Sequence, residues 1–391
     1  MRYDFDKITD RKNTNSLKYD CALERGRPED LLPLWVADMD FPAPKEVVSA
    51  LKRTAAHGIY GYTEPNREYF SVLSAHLTRH FEWTPQREWW IQTPGIVFAL
   101  AEAVKAFTEK GDAVIIQQPV YYPFSEVVVD NGRRLIDNGL KFDGIKYVVD
   151  FADFENKITE NNVKLFLLCS PHNPVGRVWT EAELLRLAEI CLRHNVIIVS
   201  DEIHSLFVYD GNKHTCFGAL GEKFYDNLVL CTSPGKAFNI AGLQLSDIFI
   251  PNPALRDKFR REHNASGYSQ LNTFSHSGAL AAYKYGDGWL KQLLAYLQGN
   301  RDFIKDFLEC RIPEITMPLP EGTYLAWLDL SALKLSRPEQ KALIVDKAKL
   351  WLDNGRMFGD KYSSFERINF ACPRSILATA LEQLEKALYN N

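Results

Sequence analysis

Hydrophobic positions in this chain gather into short unbroken runs, and between them the spacing turns helical. Residues 113–117, 164–169, 196–200 and 227–231 are apolar runs, each with a single polar residue at one end. They read as strands buried on both faces, where no polar alternation is needed. Residues 246–250 are a fifth strand candidate, apolar from Ile248 and stopped by Pro251 and Pro253. Helical spacing covers residues 46–56, with Gly58 placed to end it. It returns after Thr93-Pro94-Gly95, where Val97, Leu100, Ala101, Val104 and Phe107 recur at three and four. Thr180 and Glu183 make a capping box ahead of Leu184, Leu187, Ala188 and Cys191. Further helical patterns cover 287–310, 339–353 and 375–389, with strands expected after the 320–322 turn and around Arg367 to Phe370.

Strands that alternate with helices predict an α/β fold, a mainly parallel sheet covered by helices. The tail looks like a smaller α+β domain. The expected division is an arm at 1–45 that belongs to the small domain, a large domain at 46–286, and the small C-terminal domain at 287–391. Residues 34–41 are apolar but interrupted by Asp38 and Asp40 and followed by Pro42 and Pro44, so they read as a segment running over a core.

Composition narrows the function classes. With 391 residues, 46% hydrophobic and 25% charged, the chain is long enough for two globular domains. A net charge of -4 argues against a nucleic-acid surface as its main task. No apolar run reaches membrane-span length, and Met1 to Lys7 lacks the apolar stretch of a signal peptide. The seven cysteines contain no C-x-x-C pair and read as free thiols in a reducing, cytoplasmic setting. The nine histidines are read as showing no H-x-x-x-H pattern, so no metal centre is expected.

The candidate chemistry sits where the strands end. Asn173, Asp201 and Lys236 each lie just past a different buried strand, and in an open α/β sheet those ends share the ligand-binding rim. Lys236 is a candidate Schiff-base partner for pyridoxal phosphate (PLP), and then a base at the substrate Cα. Asp201 would pair with the pyridinium nitrogen and Asn173 with the phenolic oxygen, with His204 near that oxygen. Ser233 and the helix start at Gly95 would hold the phosphate. Each residue alone fits a packing or capping role equally well; the conjunction is what points to PLP. Two rival lysine motifs fail. Ser233-x-x-Lys236 lacks the S-D-N and K-T-G companions of penicillin-recognising enzymes, and Leu230 and Ala237 rule out a P-loop.

Seven stretches in order resemble the fold type I PLP enzymes of the class I/II aminotransferase superfamily, and within it the MalY/PatB-type cystathionine β-lyases. They are Leu34-Trp35-Val36-Ala37-Asp38-Met39-Asp40-Phe41, Pro119-Val120-Tyr121-Tyr122-Pro123-Phe124, Pro171-His172-Asn173-Pro174-Val175-Gly176, Ser200-Asp201-Glu202-Ile203-His204-Ser205, Lys236-Ala237-Phe238-Asn239-Ile240-Ala241-Gly242-Leu243, Pro320-Glu321-Gly322-Thr323-Tyr324 and Arg367-Ile368-Asn369-Phe370-Ala371-Cys372-Pro373-Arg374. The resemblance implies that Lys236 holds PLP, Asp201 pairs with the ring nitrogen and Tyr121 stacks on the ring. It implies Asn173 and His204 at the phenolic oxygen, and Gly95, Ile96, Val97 and Ser233 at the phosphate. It places Arg367, Asp38, Asn173 and Tyr62 at the substrate, with Tyr62 supplied by the other subunit of a homodimer. Three positions depart from the family pattern: Gln244 stands where an arginine is frequent, Gly235 where Ser or Thr is frequent, and Leu206 where this branch often has Asp.

The implied reaction is α,β-elimination on cystathionine or a related cysteine S-conjugate, giving thiol, pyruvate and ammonia. An aminotransferase using the same residues is the alternative, and a regulatory binding role is the non-enzymatic one. The preferred sulfur amino acid is not legible, because the substrates differ mainly beyond Cβ.

Overall fold

The computed structural model describes residues 2–389 and is built round a seven-stranded sheet. In chain order its strands are β1 (Trp90–Thr93), β2 (Ala113–Ile116), β3 (Arg134–Asp137), β4 (Val163–Cys169), β5 (Ile197–Asp201), β6 (Leu228–Thr232) and β7 (Ser246–Phe249). Their spatial order is β1-β7-β6-β5-β4-β2-β3. The strands from β6 across to β3 are parallel neighbours, while β7 runs antiparallel to both β6 and β1. The expected mainly parallel α/β sheet is present. Every residue of β2 and of β6 is buried, which explains their unbroken apolar sequences.

Local signals set several helix ends. Gly58 closes helix Lys45–His57 at φ 75°, a left-handed conformation that favours glycine. Both halves of the Thr180–Glu183 capping box form at the start of helix Glu181–Arg193. Helix Ile96–Phe107 forms as expected, but its buried stripe is Ile96, Ala99, Leu100, Ala103 and Val104, whereas Val97 is exposed. This corrects the expected face. The helix is apolar nearly all round, so spacing alone does not orient it.

A second sheet, order β8-β10-β9, is antiparallel: β8 (Leu325–Asp329), β9 (Asp353–Asn354) and β10 (Phe365–Asn369). Helices Asp287–Arg311 and Arg374–Tyr389 accompany it. The helix expected over 339–353 stops early. Arg337–Lys341 is α-helical, Ala342–Lys347 continues as a π-helix, and Lys349 turns left-handed at φ 54°. Leu350–Trp351 then pairs with Leu32–Pro33 and Asp353 pairs with Arg367, so long-range ladders override local spacing.

Residues 32–40 lie along this C-terminal part. Asn369 N–H donates to the Leu34 carbonyl and Asp40 N–H to that of Ala371, each at 2.9 Å. The expected arm and small domain reach to residues 1 and 391, and residues 1, 390 and 391 lie outside the described residues.

Candidate active site

The parallel strands point their carboxyl ends at one rim. β7, running the other way, brings its first residue, Ser246, to the same place. A cavity of about 240 Å³ opens there, and Lys236, Asp201, Asn173, Tyr121, His204 and Ser233 all line it. Gly95, Ile96 and Val97 form another part of its wall.

Lys236 follows β6 through a short turn of helix, Pro234–Ala237. Ser233 caps that turn: its Oγ accepts from Gly235 N–H at 3.0 Å and donates to the Leu245 carbonyl at 2.7 Å. A Cβ on Gly235 would stand 3.1 Å from that Oγ, so Ser or Thr at 235 would press on the cap. Lys236 Nζ donates to the Ala37 carbonyl, which also accepts from Tyr324 Oη at 2.8 Å. Burial, with Arg367 adding to it, outweighs the opposing pull of Asp38 and Asp201 and lowers the Lys236 pKa to about 8. Near neutrality much more of this amine is unprotonated, and hence nucleophilic, than of an ordinary lysine.

Asp201 is the last residue of β5, not the one beyond it. One carboxylate oxygen accepts from Ile203 N–H at 3.0 Å. Burial raises its pKa to about 7, with Glu202 adding to the rise and the Ile203 bond and Lys236 opposing it. An acid poised there suits a protonated ring nitrogen. Burial, then Lys236 and Arg367, lower the His204 pKa to about 3, so its ring is neutral, and its Nδ1 has no partner among the described residues. Gly95 takes φ 137°, open in practice to glycine, and starts helix Ile96–Phe107. The N–H groups at that helix start lie on the same cavity wall as Ser233, an arrangement that could take an anion. Gln244, at φ 52°, lines the same cavity and offers an amide where a guanidinium is frequent.

The second sheet supplies Arg367. It lies on β10, buried, and donates to Asn173 Oδ1 at 3.1 Å and to the Trp35 carbonyl at 2.7 Å. It is ion-paired with buried Asp353, and its Nε has no partner. The loop carrying Asn173 is tied to the 320–323 turn. Glu321 accepts from Arg177 Nε at 2.7 Å and from Val178 N–H at 3.0 Å. Tyr121 N–H bonds the Asn173 carbonyl at 3.0 Å.

Three expected residues, Arg367, Asp38 and Tyr62, do not line the cavity, although Arg367 touches its wall through Asn173. Asp38 pairs with Arg11 at 2.7 Å and does not line the cavity, although its charge reaches Lys236. Tyr62 is 98% exposed and borders a different hollow with residues 267–274.

Sequence reasoning passed over Ala37, Tyr324, Asp353 and Asn239. Asn239 binds the 34–41 segment from below: its amide accepts from Met39 N–H and donates to the carbonyls of Met39 and Phe41. Asp353 was hidden because it was expected in a helix. The reading of the histidines also needs correcting, since His76 and His80 do stand at the H-x-x-x-H spacing.

Taken together, the cavity suits a flat, anionic aromatic aldehyde. An amine can condense with it, an acid can face its ring nitrogen, and a cradle can take its anion.

The model of the family "Aminotransferase class I and II" matches residues 29–384. Cystathionine beta-lyase PatB of Bacillus subtilis is 41% identical over 384 residues, 98% of this chain and 99% of PatB. Protein MalY of Escherichia coli is 30% identical, covering 99% of both chains. Cystalysin of Treponema denticola, whose crystal structure contains a pyridoxal 5'-phosphate cofactor, superposes with a TM-score of 0.96 at 38% identity over 99% of each chain.

Proposed function

The chain belongs to the aminotransferase class I and II family, in the branch of PatB and MalY, and we propose that it cleaves the Cβ–S bond of a cysteine S-conjugate such as cystathionine. It is a PLP-dependent carbon–sulfur β-lyase. Cystathionine and water would give homocysteine, pyruvate and ammonia. The observation that carries the reading is that Lys236, with its lowered pKa, and Asp201 line one cavity together with Ser233 and residues 95–97.

PLP, when bound, supplies an aldehyde for amine exchange and an electron sink for the Cα electron pair. Lys236 would hold it, Asp201 would keep its ring nitrogen protonated, and Ser233 with residues 95–97 would grip its phosphate. Asn173 and His204 would face the phenolic oxygen, and Tyr121 would cover the ring. Arg367 would take the substrate carboxylate through its guanidinium, which Asp353 and the Trp35 carbonyl hold in place. Lys236, freed by the incoming amine, would carry the Cα proton. Asp38 and Tyr62 would complete the substrate end, with the partner subunit's Tyr62 reaching in.

The site would therefore be shared in a homodimer, and exposed Ile59, Tyr60 and Tyr62 support such a surface. The assignment of the arm at 1–45 to the small domain is supported by its bonds to the C-terminal sheet. All seven cysteines are free, which supports a reducing, cytoplasmic setting. Among the described residues no helix is long and apolar enough to cross a membrane.

The test is purified protein with cystathionine and no keto acid, read by pyruvate and free thiol. Absence of both sinks the lyase reading, and keto-acid-dependent amino transfer exceeding lyase turnover would favour an aminotransferase.

A further inference from the structure

Away from the Lys236 cavity, helix Arg67–Phe81 meets the start of helix Asp287–Arg311. His76 and His80 lie one turn apart on one face of the first helix, and Asp287 opens the second. One donor atom from each lies within 4.8 Å of the others. His80 Nε2 is 3.1 Å from Asp287 Oδ1, and His76 Nδ1 is 4.0 Å from the same oxygen. Ligands bound at roughly 2.0–2.2 Å in a tetrahedral site stand about 3.5 Å apart, so these separations close on an ion with small side-chain shifts.

A second observation points to a ligand independently. His76 is 1% exposed, and among the described residues its Nδ1 has no hydrogen-bond partner. A buried ring nitrogen left unbonded is costly, and a cation beside it would relieve that cost. Asp287 Oδ2 takes Arg79 at 2.8 Å, leaving Oδ1 turned to the histidines and the carboxylate fixed from behind. A cavity of about 480 Å³ adjoins His80 and Asp287, with room for water to complete the coordination.

We propose that His76, His80 and Asp287 form a binding site for a divalent transition cation of the zinc class, which ties helix Arg67–Phe81 to helix Asp287–Arg311. Two imidazoles and one carboxylate favour zinc, cobalt, nickel or copper over magnesium or calcium. None of the three residues lines the Lys236 cavity, so the site is separate from the β-lyase chemistry.

The experiment titrates the PLP-loaded protein, without amino acid, with Zn²⁺ by calorimetry and with Co²⁺ by visible ligand-field absorption. Saturable binding of about one ion per chain is expected, with a raised melting temperature in Zn²⁺. His80→Ala and Asp287→Asn, both at partly exposed positions, should each weaken binding by more than about tenfold. The cofactor absorbance band should stay unchanged in both, which shows that they fold and load PLP. Absence of saturable submillimolar binding, or unchanged binding in either variant, overturns the proposal. In the latter case the ion sits elsewhere, as on exposed Cys310.

Discussion

Burial and the Arg367 guanidinium both lower the Lys236 pKa, while Asp38 and Asp201 pull the other way, and the balance leaves it at about 8. The neutral amine is the reactive form, so a lowered pKa moves reactivity down the pH scale. Capture of PLP by the apoprotein, followed by growth of its absorbance band, should accelerate as pH rises with a midpoint near 8. A midpoint near that of ordinary lysine, about 10.4, would show that burial does not govern this amine. Arg367 is expected to act in binding. Arg367→Lys keeps the charge beside Asp353 but loses the planar fork. It should raise KM for the amino-acid substrate by about 10–100-fold, the equivalent of ~1.5–3 kcal/mol, with a smaller change in kcat. A fall in kcat alone would place Arg367 in the chemical step. Lysine, aspartate and asparagine were legible as site candidates because each follows an apolar run. Asp353 and the Ala37 carbonyl were not: a backbone oxygen leaves no trace in composition, and Asp353 meets Arg367 only through sheet pairing.

Among the elements, the segment at 34–41 depends on polar clamps more than on regular pairing. Asn239 holds it through Met39 and Phe41, while Lys18 is buried against Asp40 at 2.8 Å. Asn239 has φ 54°, so glycine fits its backbone and removes only the side chain. Asn239→Gly should lower stability by about 1–3 kcal/mol, read as a lower urea midpoint, and should speed proteolysis within the arm. An unchanged midpoint would mean that the arm is held elsewhere. The same scale shows where local pattern misleads. Residues 348–354 keep helical spacing, yet Leu350 and Asp353 gain more from ladders with Leu32 and Arg367 than from another helical turn. The helix at 96–107 was found with its face misassigned, because both of its sides are apolar.

Across the whole molecule, the exposed Tyr62 tests the dimer. Lys236→Ala and Tyr62→Ala variants should each be nearly inactive alone. If the sites are shared across a two-fold axis, mixing them in equal amounts after subunit exchange should restore activity to about a quarter of wild type, because about half of the dimers are mixed and half of the sites in each mixed dimer are intact. A mixture no more active than its parts would place Tyr62 outside the partner's site. By itself the sequence determined the buried parallel strands, the rim on which Lys236, Asp201 and Asn173 stand, and the glycine-led helix start. Those features are local: burial on both faces demands continuous apolar runs, and a strand's end is marked where the run stops. Only the tertiary structure decided that β7 turns antiparallel, that Arg367 reaches Asn173 from 194 residues away, and that Asp287 comes to lie beside His76 and His80. These are contacts between elements distant in the chain, set by how the two sheets and their helices close on one another, and local periodicity carries no record of that closure.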